Sequence, residues 1–216
     1  MTGPRILSFH AATEAAICHD LAGVVRRGGV IAVPTESFYA LGCDPRNPEA
    51  VARVGTIKGR PEGKPILVLL AGREQVSEFA ASLSPVAERL MEACWPGPLT
   101  LVLPARADLP DALTAGTGTV GLRWSAHRDL HTILAATGPL TGTSANRSGE
   151  APCRLATEVA RTCREAVEAI VDAGPTPGGL PSTVLDVTGR PRLIREGAVP
   201  SARLRELLAR IGETLA

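Results

Sequence analysis

Short, continuous runs of apolar residues recur along the chain, and they restrict the fold more than any other feature of the sequence. Residues 30–33, 66–70 and 99–103 consist almost entirely of valine, isoleucine, leucine and alanine. A strand with one solvated face alternates apolar and polar residues, whereas a strand buried on both faces is apolar throughout. The runs therefore indicate an α/β protein in which helices cover at least part of both faces of the sheet. Further strands are predicted over residues 119–123, 139–143, 169–172, 183–187 and 192–195.

Amphipathic stretches with recognisable ends lie between these runs. Residues 13–27 place apolar side chains on one helical face, and Gly28 ends the helix. Asn47 and Ser84 are each followed by a proline, the combination that opens a helix with a capping side chain and a fixed first turn. Helices are also predicted over residues 127–136, 154–166 and from Ser201 onward. Because no repeat and no long linker interrupts the pattern, the sequence predicts one domain over residues 1–216.

The charge balance and the scarcity of aromatic residues argue against general binding of nucleic acids. The chain has 23 basic and 22 acidic residues, a formal net charge of +1, and six aromatic residues. A polyanion-binding domain is usually basic, and a base-stacking platform needs more aromatic rings. A local basic pocket remains compatible with this composition.

Cysteine usage and the N-terminal sequence predict a reduced, cytoplasmic compartment. The five cysteines are an odd set without a C-x-x-C pair, which supports neither a disulfide framework nor a zinc knuckle. The first ten residues lack the basic segment and apolar core of a signal peptide. No apolar run approaches the roughly 18 residues that a membrane helix needs. We therefore expect a soluble enzyme or binding module with no membrane contact.

Three short motifs match known signatures by their letters but lack the context that those signatures require. Residues 116–121 fit G-x-G-x-x-G, yet they lead into a strand instead of a helix whose N-terminus would meet a pyrophosphate. Residues 127–130 resemble the kinase catalytic loop without its asparagine. His127 and His131 have the spacing of metal ligands but no H-E-x-x-H glutamate, so a surface-facing pair is the preferred interpretation. The P-loop motif is also missing, so an ATP site in this protein must bind the phosphates with other residues.

Lysine is the most informative residue type in this chain. There are 21 arginines, yet both lysines, Lys58 and Lys64, fall within seven positions around Arg60. A compact ammonium beside a planar guanidinium suits a polyphosphate, because one supplies a point charge and the other a bidentate fork. A solvated basic loop between a helix and a strand is the alternative that local spacing leaves open.

Polar segments follow several of the predicted strands. Residues 141–149 offer hydroxyl and amide groups with exposed backbone amides, as an anion-binding or nucleotide-binding turn does. The same residues also suit a loop that makes its own Asx and Ser/Thr turns. Residues 34–42 suit either a small-molecule pocket, to which Thr35 and Tyr39 would offer hydroxyls, or a loop pinned by aromatic rings.

Two more polar groups lie at strand ends. Arg123 can clamp a carboxylate there, and Ser182 can add a hydroxyl contact. Since α/β sheets place their binding sites at the ends of strands, we expect all these segments to share one pocket. The pattern by itself names no substrate.

Six segments, in the order in which they occur, resemble the YrdC-like threonylcarbamoyl-AMP synthases. They are PTESFYALGCDP, KGRPEGKPILVLL, WPGPLTLVLP, TVGLRW, TGTSANRSGEAP and STVLDVTGRPRLIREGAV. The resemblance covers about residues 12–200, and six ordered segments are far more specific than any one of them. It implies an open, twisted mixed α/β sheet with helices on both sides and a large, concave, positively charged cavity.

The same resemblance implies a reaction. L-threonine, bicarbonate or CO2, and ATP with Mg²⁺ would give threonylcarbamoyl-AMP and pyrophosphate. The product would pass to a separate transferase complex that forms N6-threonylcarbamoyladenosine at position 37 of tRNAs, and a weak contact with tRNA is compatible with this role. The carbamate of threonine would attack the α-phosphate, a displacement that needs positioning and charge neutralisation but no protein nucleophile.

The resemblance also divides the site between two substrates. The residues that match the catalytic elements are Lys58, Arg60, Ser144 and Asn146. The residues that would bind ATP are Lys58, Arg60 and Glu62 at the triphosphate, with Thr119, Ser144, Asn146, Pro152 and Arg195. The residues that would bind threonine are Thr35, Leu67, Arg123, Gly142 and Ser182, with Arg123 on the carboxylate.

Some positions depart from the family pattern. The usual PTET(V/D)YGLG reads PTESFYALG, which changes Ser37, Phe38 and Ala40, and the strand histidine of N-P-L-I-V-H is Leu69. The extra C-terminal domain of some relatives is not expected in this chain. Two alternative functions stay open, namely adenylation of another carbamoyl donor and binding of double-stranded RNA, whose affinity would fall steeply with salt.

Overall fold

The computed structural model of the protein describes residues 3–59, 65–163 and 166–216. Its strands are β1 Arg5–Ser8, β2 Ile31–Val33, β3 Ala40–Gly42, β4 Val68–Leu70, β5 Leu99–Pro104, β6 Thr119–Trp124, β7 Leu140–Thr141, β8 Thr143–Ser144, β9 Ala169–Asp172, β10 Thr183–Asp186 and β11 Arg192–Arg195. Its α-helices are α1 Glu14–Arg26, α2 Pro48–Lys58, α3 Pro85–Cys94, α4 Asp111–Thr114, α5 Arg128–Thr137, α6 Ala156–Cys163 and α7 Ser201–Ala209, and a 3-10 helix spans Arg73–Glu78.

The mixed α/β architecture is confirmed, and its strands form two sheets where one open sheet is predicted. The first sheet has the order β1-β9-β2-β3-β8 and the second has the order β11-β10-β5-β6-β4-β7. Each contains parallel and antiparallel pairs: β2 is parallel to β9 and antiparallel to β3, while β6 is parallel to β4 and antiparallel to β5.

The division into two sheets is made at Gly142. Residues 139–143 are predicted as one strand, but Leu140–Thr141 pairs with β4 in the second sheet and Thr143–Ser144 pairs with β3 in the first. A Cβ atom on Gly142 would lie 2.6 Å from the Leu67 Cδ1 and Leu69 Cγ atoms. Glycine therefore lets the chain pass close to β4 as it crosses from one sheet to the other.

Burial on both faces explains the continuous apolar runs. In β2, Ile31 and Val33 belong to the core beneath α1 and α5, whereas Ala32 between them belongs to the larger core that also holds the second sheet. Alternate residues of a strand point to opposite faces, so a strand between two cores has no solvated position.

Some elements were missed by the sequence analysis. The short strand β3 falls inside the segment interpreted as a loop, and the edge strand β1 is largely exposed. Both lack the continuous apolar run that marked β2, β4 and β5. In the part of the chain that the structure describes, no helix is both long and apolar enough to cross a membrane.

Candidate active site

A cavity of about 840 Å³ opens against one face of the second sheet and reaches β3 and β8 of the first. Its floor follows the strand alternation: Thr100 and Val102 of β5 and Val184 and Asp186 of β10 face the cavity, whereas Leu101 between the first two lies in the core on the other face. The sheet thus separates the cavity, whose lining mixes polar and apolar side chains, from an apolar core.

Most of the residues predicted to bind substrate line this cavity. They are Thr35, Leu67, Thr119, Arg123, Gly142, Ser144, Ser182 and Arg195. Lys58 and Asn146 lie next to the cavity wall, on Ser144. Pro152 precedes Cys153, whose carbonyl accepts a hydrogen bond from the Tyr39 N–H. Arg60 and Glu62 lie outside the described residues.

Lys58 connects the two segments that the sequence predicts to bind phosphate, its own segment and residues 141–149. It is the last residue of α2 and is 6% exposed. Its ammonium donates to the Ser144 carbonyl at 2.6 Å, to Ser144 Oγ at 3.2 Å and to Asn146 Oδ1 at 3.0 Å. The Asn146 amide in turn donates to the Arg147 and Glu150 carbonyls at 2.8 Å. Lys58 therefore holds the turn that follows β8 in one conformation.

Arg123 is a buried cation on the cavity wall. It is 5% exposed, and its Nε donates to the Gly97 carbonyl at 3.2 Å. Its Nη2 lies 2.5 Å from Glu36 Oε1, a close contact between a buried cation and a carboxylate. A guanidinium has five N–H donors, and these two contacts leave donors for a ligand.

Glu36 is ionised in this arrangement. It accepts hydrogen bonds from the Ser125 hydroxyl and, at 3.4 Å, from the Ala126 N–H. Burial alone would raise the pKa of its carboxyl, but the charge of Arg123 and the hydrogen bond from Ser125 together lower the pKa below its usual value. Sequence reasoning missed Glu36, although the segment PTES that follows β2 contains it.

Ser182 and Arg195 form a second polar group on the cavity wall. The Ser182 hydroxyl lies 2.9 Å from Thr100 Oγ1 and accepts from Arg195 Nη2 at 3.3 Å. Burial, with a smaller contribution from the charge of Arg123, lowers the pKa of Arg195. Thr100 was also missed, since one threonine inside an apolar strand carries no local signal.

Two hydroxyls predicted to serve the pocket are used within the protein. The Thr35 hydroxyl donates to the Phe38 carbonyl at 2.7 Å and accepts from the Ser37 N–H at 3.1 Å. The Tyr39 hydroxyl donates to the Gly174 carbonyl at 2.9 Å. Tyr39 lines the cavity, but its hydroxyl is engaged by a distant loop of the protein.

His127 and His131, at the start of α5, are not the free surface pair that the sequence favours. His127 caps α5 by accepting from the Leu130 N–H, and His131 Nε2 contacts the Ser125 carbonyl. Both side chains are partly buried. Both histidines therefore contact Ser125, which lies just before α5.

The chain is similar to known proteins over most of its length. The family model named for Sua5, YciO and YrdC, described as "Telomere recombination", matches residues 23–197. The threonylcarbamoyl-AMP synthase of Pyrococcus abyssi is 38% identical over 192 residues, which are 88% of this chain and 56% of that protein. The synthase of Thiobacillus denitrificans is 42% identical over 168 residues, 77% of this chain and 89% of that protein.

Solved structures share the fold. The crystal structure of P. abyssi Sua5 complexed with L-threonine superposes with a TM-score of 0.89 at 34% identity, covering 98% of this chain and 62% of that one. E. coli YciO gives a TM-score of 0.81 at 28% identity, covering 92% of this chain and 97% of that one. The chain thus spans little more than half the length of the P. abyssi relative.

Proposed function

This chain belongs to the Sua5, YciO and YrdC family, and from that membership we propose that it is a threonylcarbamoyl-AMP synthase. The amine of L-threonine adds to CO2 to form a carbamate, which reacts with ATP to give threonylcarbamoyl-AMP and pyrophosphate; when bicarbonate is the carbon source, one water is released as well. The observation that carries the proposal is the convergence of Arg123, Ser144, Ser182 and Arg195, from four separate segments, on one cavity. Two relatives named for this activity, and one solved with L-threonine, support it.

The amino-acid end of the cavity is proposed at Arg123. A buried guanidinium with unused donors suits the carboxylate of threonine, because charge-assisted bonds are strongest away from water. The hydroxyl pair of Thr100 and Ser182 lies on the same wall and suits the polar groups of a small amino acid. Leu67 and Gly142 complete this part of the lining.

The nucleotide end is proposed at Ser144, Thr119 and Arg195, with Lys58 and Asn146 behind Ser144. The carbamate oxygen attacks the α-phosphorus as the bond from that phosphorus to pyrophosphate breaks. Such a step depends on alignment and on neutralisation of the growing negative charge. Lys58 supplies charge from below the turn, and Mg²⁺ bound through the nucleotide would supply further neutralisation of the phosphate oxygens. Asp186, an acidic residue of the lining, is already bonded to Thr188 and Arg192.

Several broader features belong to the same proposal. Three arginines, Arg123, Arg192 and Arg195, line the described part of the cavity beside Asp186, which supports a positive cavity that attracts anionic substrates. We place the activity in the cytoplasm, within a single domain over residues 1–216. The product is proposed to pass to a tRNA threonylcarbamoyl transferase complex.

The proposal is tested by measuring pyrophosphate release from ATP, Mg²⁺ and bicarbonate, with and without L-threonine. Serine and glycine serve as substrate controls. We expect release that requires threonine and that falls about 100-fold in Lys58→Ala, the size of effect seen when a preorganised charge is removed. Arg26→Ala is the matched control, because Arg26 also lies in the last turn of a helix but is exposed.

Other outcomes would contradict the proposal in distinct ways. Release without dependence on threonine would indicate another carbamoyl acceptor. Absence of release together with strongly salt-dependent RNA binding would indicate a nucleic-acid-binding module. Circular dichroism of Lys58→Ala separates loss of chemistry from loss of the fold.

A further inference from the structure

Glu36 does not line the cavity itself but contacts Arg123, which does. Its neighbours Thr35 and Ser37 line the cavity, whereas Glu36 does not, and its carboxylate lies instead against Arg123 at 2.5 Å. The pair is largely buried, with side-chain exposures of 6% for Arg123 and 21% for Glu36. The carboxylate therefore reaches the guanidinium without occupying the space in which a ligand would sit.

A second contact holds the same guanidinium. Arg123 Nε donates to the Gly97 carbonyl, and the Gly97 N–H donates to the Trp124 carbonyl at 2.8 Å. A Cβ atom on Gly97 would collide with the Cys94 carbonyl oxygen. The Gly97 carbonyl thus has a fixed place, and Arg123 is held at two points, one neutral and one charged.

Glu36 is itself held by further groups. The Ser125 hydroxyl donates to it, and this hydroxyl accepts from the His127 N–H at 3.2 Å. The Ser125 carbonyl contacts His131 Nε2. A network of three segments, the loop after β2, the end of β6 and the start of α5, therefore sets the position of one carboxylate.

We propose that Glu36 is a positioning residue, which holds the Arg123 guanidinium in the orientation that receives the carboxylate of the amino-acid substrate. This inference rests on the proposed function, because it concerns threonine binding at Arg123. A buried arginine without its partner would be desolvated and unpaired, and it would turn toward solvent or other acceptors. Glu36 prevents this while leaving the cavity side of the guanidinium free.

A competing role for Glu36 would change the threonine affinity in the opposite direction. If Glu36 occupied Arg123 as a stand-in for the substrate carboxylate, removal of its charge would strengthen threonine binding. If Glu36 positions Arg123, removal of its charge weakens binding. The two roles are thus separated by the direction of one affinity change.

The experiment is titration calorimetry of L-threonine and of ATP with wild-type protein and Glu36→Gln. Glutamine keeps the size and the acceptor for Ser125 but loses the charge. We expect threonine affinity to fall roughly 10- to 100-fold, the range for a displaced binding group, with ATP affinity unchanged. In the assay this appears as a raised KM for threonine with a smaller change in kcat. Unchanged or tighter threonine binding in this variant overturns the inference.

Controls make each outcome decisive. Glu168→Gln makes the same chemical change at an ion pair away from the cavity, with Arg53 at 2.7 Å, and is expected to bind threonine as wild type does. If Glu36→Gln does not fold, Ser125→Ala tests the same network, and equal threonine affinity there overturns the inference. If the wild-type protein itself binds no threonine, the proposed function fails, and this inference falls with it.

Discussion

Gly142 and Leu69 lie side by side in the cavity wall. Neither of them contributes a polar side chain to the lining. Leu69 stands where the family pattern has a histidine, and it pairs in register with Arg123. It supplies only carbon atoms to the cavity lining, to which Arg123, Ser182 and Thr100 contribute polar groups. Gly142 leaves the room that Leu67 and Leu69 fill.

We predict that Gly142→Ala destabilises the protein by about 1–3 kcal/mol, the usual cost of overpacking. The added methyl would push Leu67 into the cavity, so threonine affinity should fall as well. Urea unfolding and threonine titration measure the two effects. Gly55→Ala, in the middle of α2 with no atom within 4 Å of the new Cβ, is the matched control and should stabilise by about 0.5–1 kcal/mol. A Gly142→Ala variant as stable as wild type would contradict the steric argument.

At the scale of elements, helix ends are set by local chemistry. Asn47 Oδ1 accepts from the Ala50 N–H at 3.0 Å and opens α2, whose last residue is Lys58. Ser84 Oγ accepts from the Ala87 N–H at 3.2 Å and opens α3. Each cap satisfies a backbone donor that the helix itself leaves without an acceptor.

Loss of the Ser84 cap should affect stability without affecting activity. We expect Ser84→Ala to lower the free energy of unfolding by about 1 kcal/mol. Because α3 does not line the cavity, pyrophosphate release by the folded protein should be unchanged. Ser84→Asp, which keeps an acceptor at the cap, should retain wild-type stability in the same urea titration. Equal destabilisation by both substitutions would show that the cap is not the cause.

At the scale of the whole molecule, the core contains thiols and a phenol that ionise only at high pH. Burial raises the pKa of Cys43 and of Cys163 to about 11, from an ordinary value of 9.0. Burial, with the charge of Asp172, raises the pKa of Tyr39 to about 12. These groups stay neutral in the folded state at a pH at which the unfolded chain has lost their protons.

Stability should therefore fall on the alkaline side. Between about pH 9 and pH 11 the unfolded state binds fewer protons than the folded state, so the free energy of unfolding decreases as pH rises. The slope approaches roughly 1.4 kcal/mol per pH unit for each thiol. Urea unfolding at pH 8 and pH 10.5 measures the change, and the double variant Cys43→Ala, Cys163→Ala should show a smaller one. Equal slopes in both proteins would contradict this account.

Local patterns in the sequence determined the elements and the general region of the site. The buried strand runs, the Asn47 and Ser84 caps, and the position of β9 depend on neighbouring residues, because burial on both faces and helix capping both leave a short-range signature. The family resemblance added further candidate substrate-binding residues, and most of the candidates line the cavity. The signals of β1 and β3 went unrecognised, since β1 is largely exposed and β3 lies inside a segment that also suits a loop.

Only the tertiary structure decided which distant groups meet. Glu36 and Ser125 are 89 positions apart, and Lys58 and Ser144 are 86 apart, so their contacts leave no trace in local spacing. The crossing at Gly142 depends on the atoms of Leu67 and Leu69, and the direction of the Tyr39 hydroxyl depends on Gly174. A side chain's partner is set by how sheets and helices pack, and that arrangement is a property of the whole chain.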